Sequence, residues 1–144
     1  MEKPPDLNMN VCIVEDSIPI QERLKRMIEQ LPGMNIAAIA GDLNNAEQML
    51  LQDETELAPE CQIQVVVLDT QLPDGNSLEL LKKIKLTRPQ IKVVVFSNHA
   101  SEEGRVLAQR AGADGFLDKS ADSELLMQVL QNWQHNFFES TTRK

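Results

Sequence analysis

The feature that most constrains the fold is a run of apolar residues, from Val65 to Leu68, that ends on the carboxylate of Asp69. A β-branched run of this kind is typical of a strand buried on both faces of a parallel sheet. Residues 71–76, Gln-Leu-Pro-Asp-Gly-Asn, predict a turn directly after it. Asp69 is therefore expected at the carboxyl end of a central strand, the edge of open α/β sheets where ligands bind. A carboxylate there serves as a nucleophile, a metal ligand or a helix cap.

The rest of the chain alternates strand and helix patterns in the same way. Strands are predicted at 10–14, 35–40, 65–69, 91–97 and 116–117, and helices at 18–31, 43–51, 78–87, 101–110 and from about 122. The last helix carries apolar residues along one side: Leu125, Leu126, Val129, Leu130, Trp133 and Phe137. This alternation predicts an α/β fold, a doubly wound five-stranded parallel sheet with helices on both faces. The 144 residues suffice for one domain. We place it at 10–138, between an N-terminal extension (1–9) and a C-terminal tail (139–144).

Composition excludes several classes of function. The net charge of −8 and the pI of about 4.7 argue against a nucleic-acid surface. No apolar run approaches the roughly 20 residues of a membrane span, and the first residues lack a secretory pattern, so a cytoplasmic protein is expected. Cys12 and Cys61 are expected to be reduced thiols. Without a CxxC pair, and with His99 and His135 far apart, the sequence argues against a zinc site.

Polar side chains with chemical potential follow four of the five predicted strands. They are Glu15, Asp16, Asp69, Ser97 and Lys119. Each alone has an ordinary explanation as a helix cap or a solvated side chain, but the carboxyl ends of parallel strands meet at one edge. Three carboxylates in contact there would repel one another by about 4 kcal/mol per pair at ~4 Å and a dielectric of 20. They need a cation, and an all-oxygen ligand set suits Mg²⁺.

This combination of groups has the chemistry of phosphoryl transfer. A metal, the Lys119 ammonium and the Ser97 hydroxyl would surround the carboxylate of Asp69 and neutralise charge on phosphoryl oxygens. A carboxylate nucleophile would yield an acyl phosphate.

At these residues the chain resembles the receiver domain of two-component response regulators, over nearly its whole length. The matching elements are Val14-Glu15-Asp16, Leu68-Asp69-Thr70-Gln71-Leu72-Pro73, Val95-Phe96-Ser97 and 112–119, Gly-Ala-Asp-Gly-Phe-Leu-Asp-Lys. The resemblance implies the flavodoxin-like topology with strand order 2-1-3-4-5. It also implies a phosphoacceptor signalling domain that catalyses its own phosphorylation and dephosphorylation, rather than an enzyme.

The resemblance assigns roles around the acceptor. Asp69 would be phosphorylated, and it would also bind Mg²⁺ (or Mn²⁺). Asp16 would bind the metal directly, Glu15 through water, and Gln71 through its backbone carbonyl. Lys119 would contact the phosphoryl group.

Further roles concern switching and lifetime. Ser97 would reorient to bond the phosphoryl group as the ring of Phe116, the aromatic switch position, rotates inward; ordinary core packing is the other explanation for Phe116. Gln71 and His99 occupy positions that tune the lifetime of the acyl phosphate.

Three positions depart from the family pattern. Ser120 stands where a proline usually follows the lysine, so either isomer of the Lys119–Ser120 bond is open. Ser77 replaces a frequent glycine and is expected to cap the third helix. Asn98 is larger than the usual small residue and would narrow access for phosphate.

The resemblance also names partners. The phosphoryl donor would be a histidine kinase or a histidine phosphotransfer protein. The output surface would comprise the fourth helix, fifth strand and fifth helix, at 102–110, 116–119 and 122–133. Candidate exposed contacts are Glu103, Arg105, Arg110 and Gln128, and a solvated surface is the other explanation for each. The output surface would act on a downstream protein, on a missing C-terminal output domain, or on a second copy in a phosphorylation-dependent homodimer.

Three hypotheses follow for the chain as a whole. The first is a stand-alone receiver or phosphorelay carrier. The second is the N-terminal receiver of a helix-turn-helix DNA-binding regulator. The third is an Asp-nucleophile hydrolase of the dehalogenase type, which is disfavoured because Gln71 stands where such enzymes carry a second Asp.

Overall fold

The computed structural model describes residues 8–51, 62–98 and 101–142, with side chains described as far as Phe137. The acidic connection that the sequence predicts at 53–59, Cys61 and His99 lie outside the described residues. The strands are β1 (Met9–Val14), β2 (Met34–Ala40), β3 (Val65–Leu68), β4 (Gln71–Leu72), β5 (Gly75–Asn76), β6 (Lys92–Ser97) and β7 (Gly115–Asp118). The helices are α1 (Ile18–Glu29), α2 (Leu43–Leu50), α3 (Leu78–Thr87), α4 (Glu102–Ala111) and α5 (Ser123–Thr142).

Five parallel strands form the main sheet, in the order β2-β1-β3-β6-β7. Counting the five long strands along the chain, this is the predicted order 2-1-3-4-5, and the predicted fold class is confirmed. β3 lies in the centre, between β1 and β6. Asp69 therefore follows the central strand, as its position after the apolar run predicts.

The core forms two apolar layers because successive strand residues point to opposite faces of the sheet. On one face, Val66 and Leu68 of β3 join a cluster with residues of α2, α3 and α4. On the other face, Val65 and Val67 join a cluster with residues of α1 and α5. The three valines and the leucine of β3 are each at most 2% exposed, which explains the unbroken apolar run.

Local signals fix the ends of the helices. Ser17 caps α1 by accepting a bond from the backbone N–H of Ile20, and Pro19 lies in its first turn. α4 ends at Gly112, which has a φ of 108°. A Cβ atom at that position would lie 2.7 Å from Cγ of Lys85, so both the backbone conformation and the close approach require glycine.

The structure corrects three local expectations. Residues 71–76 form not a simple turn but a small antiparallel hairpin, β4–β5, in which Gln71 pairs with Asn76. α5 runs to Thr142 and so includes most of the predicted tail 139–144, because no Gly or Pro interrupts the sequence from 123 to 142. Of the apolar residues predicted along one side of α5, Leu125 and Phe137 are 43% and 45% exposed.

Within the described part of the chain every peptide bond is trans, including Lys119–Ser120. None of the helices in that part is both long enough and apolar enough to cross a membrane.

Candidate functional site

The carboxyl edge of the sheet holds the predicted site residues through bonds that extend the strand ladders. The N–H of Glu15 donates to the carbonyl of Ala40 (2.9 Å), and the N–H of Asp69 donates to that of Val14 (3.0 Å). The N–H of Lys119 donates to the carbonyl of Ser97 (3.0 Å). The backbone at each site residue is thus fixed by the neighbouring strand.

Three carboxylates meet at this edge. One oxygen from each of Glu15, Asp16 and Asp69 lies within 4.8 Å of the other two. Glu15 and Asp69 are buried, at 2% and 7% exposure, while Asp16 is exposed to solvent. Oxygen ligands at this separation fit a hard divalent cation, and the open side at Asp16 leaves room for the water that Mg²⁺ retains.

Lys119 brings a fixed positive charge to the two buried carboxylates. Its Nζ lies 2.5 Å from Oε1 of Glu15 and 3.1 Å from Oδ2 of Asp69, and its side chain is 7% exposed. Burial acts to lower the pKa of Lys119, but the hydrogen bonds to Glu15 and Asp69 outweigh it and the pKa is raised. Lys119 is therefore an ammonium group at neutral pH.

Glu15 has a raised pKa. Burial is the largest cause and the charge of Asp69 adds to it, while the hydrogen bond from Lys119 acts in the opposite direction. The second oxygen of Glu15 accepts a bond from the backbone N–H of Ser17 (3.1 Å). Its carboxylate is thus held on both oxygens, in a site with more negative than positive charge.

Ser97 ends β6 and is buried at 1% exposure. Its Oγ lies 2.9 Å from Oγ1 of Thr70, the residue after Asp69. The sequence pattern does not single out Thr70, although its position directly after Asp69 is a signal that points to it. Phe116, which pairs with Val95 in the sheet, is half-buried and lines a cavity of about 210 Å³ together with Thr70.

Ser77 occupies the N-cap position of α3 as expected, but its side chain makes no cap hydrogen bond. Its side chain is fully buried, and its Oγ donates to the backbone carbonyl of Asp69 (2.7 Å). Its N–H donates to the carbonyl of Thr70 (3.0 Å). The backbone N–H of Leu78, in the first turn of α3, donates instead to Oδ1 of Asn76 (2.9 Å). Ser77 thus holds the backbone of the acceptor segment.

The β4–β5 hairpin is anchored to α2. Both carboxylate oxygens of Asp74 accept bonds from the first backbone N–H groups of that helix, at Leu43 (2.8 Å) and Asn44 (3.1 Å). These bonds lower the pKa of Asp74, the bond from Leu43 being the largest cause. The anchor fixes Gln71 at the start of β4, and the N–H of Gln71 donates to Oδ1 of Asp69 (3.3 Å).

The site opens into a small cavity of about 190 Å³ that is large enough for a phosphoryl group. The cavity is lined by the three carboxylates, Gln71, Lys119 and Asn98, among others. The structure therefore brings together Glu15, Asp16, Asp69, Gln71 and Lys119. Ser97 lies behind them, against Thr70, and His99, the second residue predicted to tune lifetime, lies outside the described residues.

Comparisons with known proteins identify the family of such a site. A family model described as the response regulator receiver domain matches residues 11–131, within the predicted domain at 10–138. The nitrate/nitrite response regulator protein NarL of Escherichia coli K12 is 30% identical over 120 residues, which cover 83% of this chain and 52% of NarL. A protein-glutamate methylesterase/protein-glutamine glutaminase of Treponema pallidum is 34% identical over 79% of this chain and 27% of its own length.

Among solved structures, a two-component response regulator of the LuxR family from Aurantimonas superposes with a TM-score of 0.76 and 26% identity. The match covers 90% of this chain and 86% of that one. The chain thus spans only about half, or less, of the curated relatives quoted above.

Proposed function

The chain belongs to the response regulator receiver domain family, and we propose that it accepts a phosphoryl group on Asp69 in a Mg²⁺-dependent reaction. The donor would be a histidine kinase or a histidine phosphotransfer protein. The observation that carries the proposal is the arrangement around Asp69: two further carboxylates within 4.8 Å and the Lys119 ammonium 3.1 Å from its Oδ2.

This geometry supports the transfer. An oxygen of Asp69 attacks the donor's phosphorus as the bond to the donor imidazole breaks, so an acyl phosphate forms and the imidazole leaves. Lys119, already bound to Asp69, carries the positive charge that a phosphoryl oxygen requires. Ser77 and the strand pairing to β1 hold the Asp69 backbone, so the carboxylate needs no large rearrangement to react.

Glu15, Asp16 and Asp69 would hold the metal, with the backbone carbonyl of Gln71 as a further ligand. When bound, Mg²⁺ supplies positive charge to the phosphoryl oxygens. The excess of carboxylates over the single ammonium supports this assignment, because Lys119 neutralises one of the three negative charges.

Switching is proposed to begin at Ser97. The new phosphoryl group carries about −1.5 to −2 charges at pH 7 and offers strong acceptor oxygens. Ser97 would donate to one of them, and Phe116 would then occupy space nearer the core. The affected surface would be α4, β7 and α5, on which Glu103, Arg105, Arg110 and Gln128 are the proposed contacts with a downstream partner or a second copy.

A second candidate concerns the whole protein. NarL is longer than this chain, and the Aurantimonas protein is a response regulator of the LuxR family. We therefore propose as an alternative that this receiver precedes a helix-turn-helix output domain. The observation behind it is that the chain covers 52% of NarL. Sequencing the native open reading frame decides between this alternative and a stand-alone receiver.

The reaction is tested by incubating the chain with Mg²⁺ and acetyl phosphate, followed by intact-mass measurement. We expect one added phosphoryl group, its loss in Asp69→Asn, and its loss on chelation of Mg²⁺. Asp42→Asn, which changes a carboxylate at the start of α2 outside the site, should be labelled like the wild type. An unlabelled wild type, under conditions that label a known receiver domain, would refute the proposal.

A further inference from the structure

We propose that Asp118 and Ser120 are positioning residues for Lys119, and that the two hydrogen bonds from Ser120 to the Asp118 carboxylate raise the rate of phosphorylation by placing the Lys119 ammonium. The inference rests on the proposed function and deepens it. It assigns a role to the two residues that flank the lysine. Within the described part of the chain, their side chains bond to each other and the backbone N–H of Asp118 donates to Asp122; neither side chain bonds to the carboxylates of Glu15, Asp16 and Asp69.

The first observation is a closed turn around Lys119. Oδ1 of Asp118 accepts two hydrogen bonds from Ser120, one from its backbone N–H (2.9 Å) and one from its hydroxyl (2.8 Å). The two residues are separated by Lys119 alone, so the bonds span the lysine and restrain the backbone on either side of it. The same bonds lower the pKa of Asp118, which keeps it an ionised, strong acceptor.

The second observation is that the turn is itself anchored. The N–H of Asp118 donates to Oδ2 of Asp122 (2.9 Å), and the carbonyl of Asp118 accepts from the N–H of Asp122 (2.8 Å). Asp122 directly precedes α5. The N–H of Lys119 is bound to the carbonyl of Ser97. The start of α5 and the end of β6 therefore hold the turn from two sides.

Lysine needs such a frame. Its ammonium sits at the end of a flexible four-carbon chain with many rotamers. Here Nζ lies 2.5 Å from one buried carboxylate oxygen and 3.1 Å from another. A fixed backbone at 118–120 restricts where Nζ can reach, and displacement of a catalytic group by about 1 Å can slow a reaction about 100-fold.

The position after Lys119 strengthens the inference. A proline at position 120 would have neither a backbone N–H nor a hydroxyl and could make neither bond to Asp118. Here two bonds from Ser120 to Asp118 restrain the turn at Lys119, and one of them requires the serine hydroxyl. Ser120 is exposed, so the bridge is not required to fill the core.

The test measures the rate of Asp69 phosphorylation by acetyl phosphate at saturating Mg²⁺ in the full chain. We expect Asp118→Ala to lower the maximal rate about 10-fold and Ser120→Ala about 3-fold, since one of the two bonds to Asp118 survives. Ser120→Thr and Asp118→Asn, which keep the hydroxyl donor and the oxygen acceptor, should restore most of the rate. The Mg²⁺ concentration for half-maximal rate should stay unchanged because no metal ligand is altered.

Lys119→Met provides the decisive background. If Asp118 acts through Lys119, Asp118→Ala should cause no further loss in the Lys119→Met chain. Asp42→Ala removes a similar side-chain cap from α2 and should keep the wild-type rate, which separates positioning from a general loss of stability.

The outcomes are distinct. An equal fold-loss on Asp118→Ala with and without Lys119, or wild-type rates in both Asp118→Ala and Ser120→Ala, overturns the inference while leaving the proposed function intact. An unlabelled wild type refutes the proposed function itself. If the Lys119→Met chain has no measurable rate, NMR order parameters of the Lys119 side chain decide. They should fall in Asp118→Ala but not in Asp42→Ala, and unchanged values overturn the inference.

Discussion

Lys119→Met should strongly destabilise the fold. Met has a similar length and fills the same space, but it carries no charge. The substitution leaves Glu15 and Asp69 buried, at 2% and 7% exposure, without the ammonium that now contacts both. Breaking a buried ion pair by removing one partner typically lowers the free energy of unfolding by about 3–5 kcal/mol.

The geometry supports that magnitude. The remaining carboxylate oxygens lie within 4.8 Å of one another, and two unit charges at that distance repel by about 3.5 kcal/mol at an effective dielectric of 20. For a domain of this size, a loss of 3–5 kcal/mol corresponds to a fall in Tm of roughly 10–20 °C. Added Mg²⁺ should recover part of the loss because it returns positive charge to the same carboxylates.

Lys83→Met is the matched control. Lys83 also forms a short ion pair, 2.6 Å to Glu47, but the two side chains are 54% and 43% exposed. An exposed pair of this kind contributes about 0–1 kcal/mol. Urea unfolding followed by circular dichroism, in a chelating buffer, should therefore separate the two variants by at least about 2 kcal/mol. Similar losses in both variants would refute the argument from burial.

The stability difference between wild type and Lys119→Met should change with pH in a defined direction. Glu15 has a raised pKa in the folded protein, mainly through burial, and removal of Lys119 takes away a bond that lowers it. A group with a raised folded pKa binds its proton more tightly when the protein is folded. Its contribution to the free energy of unfolding is therefore greatest at low pH and falls as pH rises through the folded pKa. The difference between wild type and Lys119→Met should thus be largest at neutral pH and shrink towards pH 4.5, the ordinary value for Glu. A constant difference would contradict this explanation.

Three other substitutions test single contacts, each by chemical unfolding. Gly112→Ala should lower the free energy of unfolding by at least about 1 kcal/mol, because φ is 108° and the new methyl group would meet Lys85 at 2.7 Å; a neutral effect would contradict the left-handed cap. Ser77→Ala should cost about 1–3 kcal/mol by leaving the buried carbonyl of Asp69 without its donor; a smaller effect would show that another group replaces the bond. Asp74→Ala should destabilise at neutral pH; because the folded pKa of Asp74 is lowered, the difference from wild type should shrink as pH falls below the ordinary Asp pKa of 3.8 and be lost as pH passes through the folded pKa; a difference that persists in stronger acid would disprove the role of the charge.

The sequence predicts the fold and the carboxylate cluster for the same reason. Parallel strands begin at one edge of a sheet and end at the other, so residues that follow successive strands come together without any knowledge of side-chain packing. Glu15, Asp69 and Lys119 are brought into contact by this rule alone. The apolar run before Asp69 suffices to mark the central strand because that strand is buried on both faces.

Contacts that depend on tertiary packing are not readable in the same way. The Thr70–Ser97 bond joins residues 27 positions apart, and the direction of the two hydroxyls follows from how β3 and β6 pair. Serine is a residue type that commonly caps helices, but in the buried environment of Ser77 its hydroxyl donates to the Asp69 carbonyl. The same local sequence is compatible with a helix cap and with a bond to a buried carbonyl, and the packing around the serine decides which partner its hydroxyl uses.

Short and marginal elements form a second group. The strands β4 and β5 have two residues each, too few for an alternating pattern to show. Helical spacing likewise identifies the apolar residues of α5 but not how much of each the sheet covers, and this is why Leu125 and Phe137 are more exposed than their spacing indicates.

The identity of the modified residue decides whether Asp69 is the phosphoryl acceptor. After incubation with acetyl phosphate and Mg²⁺, borohydride reduction converts an aspartyl phosphate to homoserine, and peptide mass mapping locates the product. We expect homoserine at Asp69 and at no other aspartate of the chain. A phosphoryl group on Ser97 or on another residue, with Asp69 unmodified, would contradict this expectation.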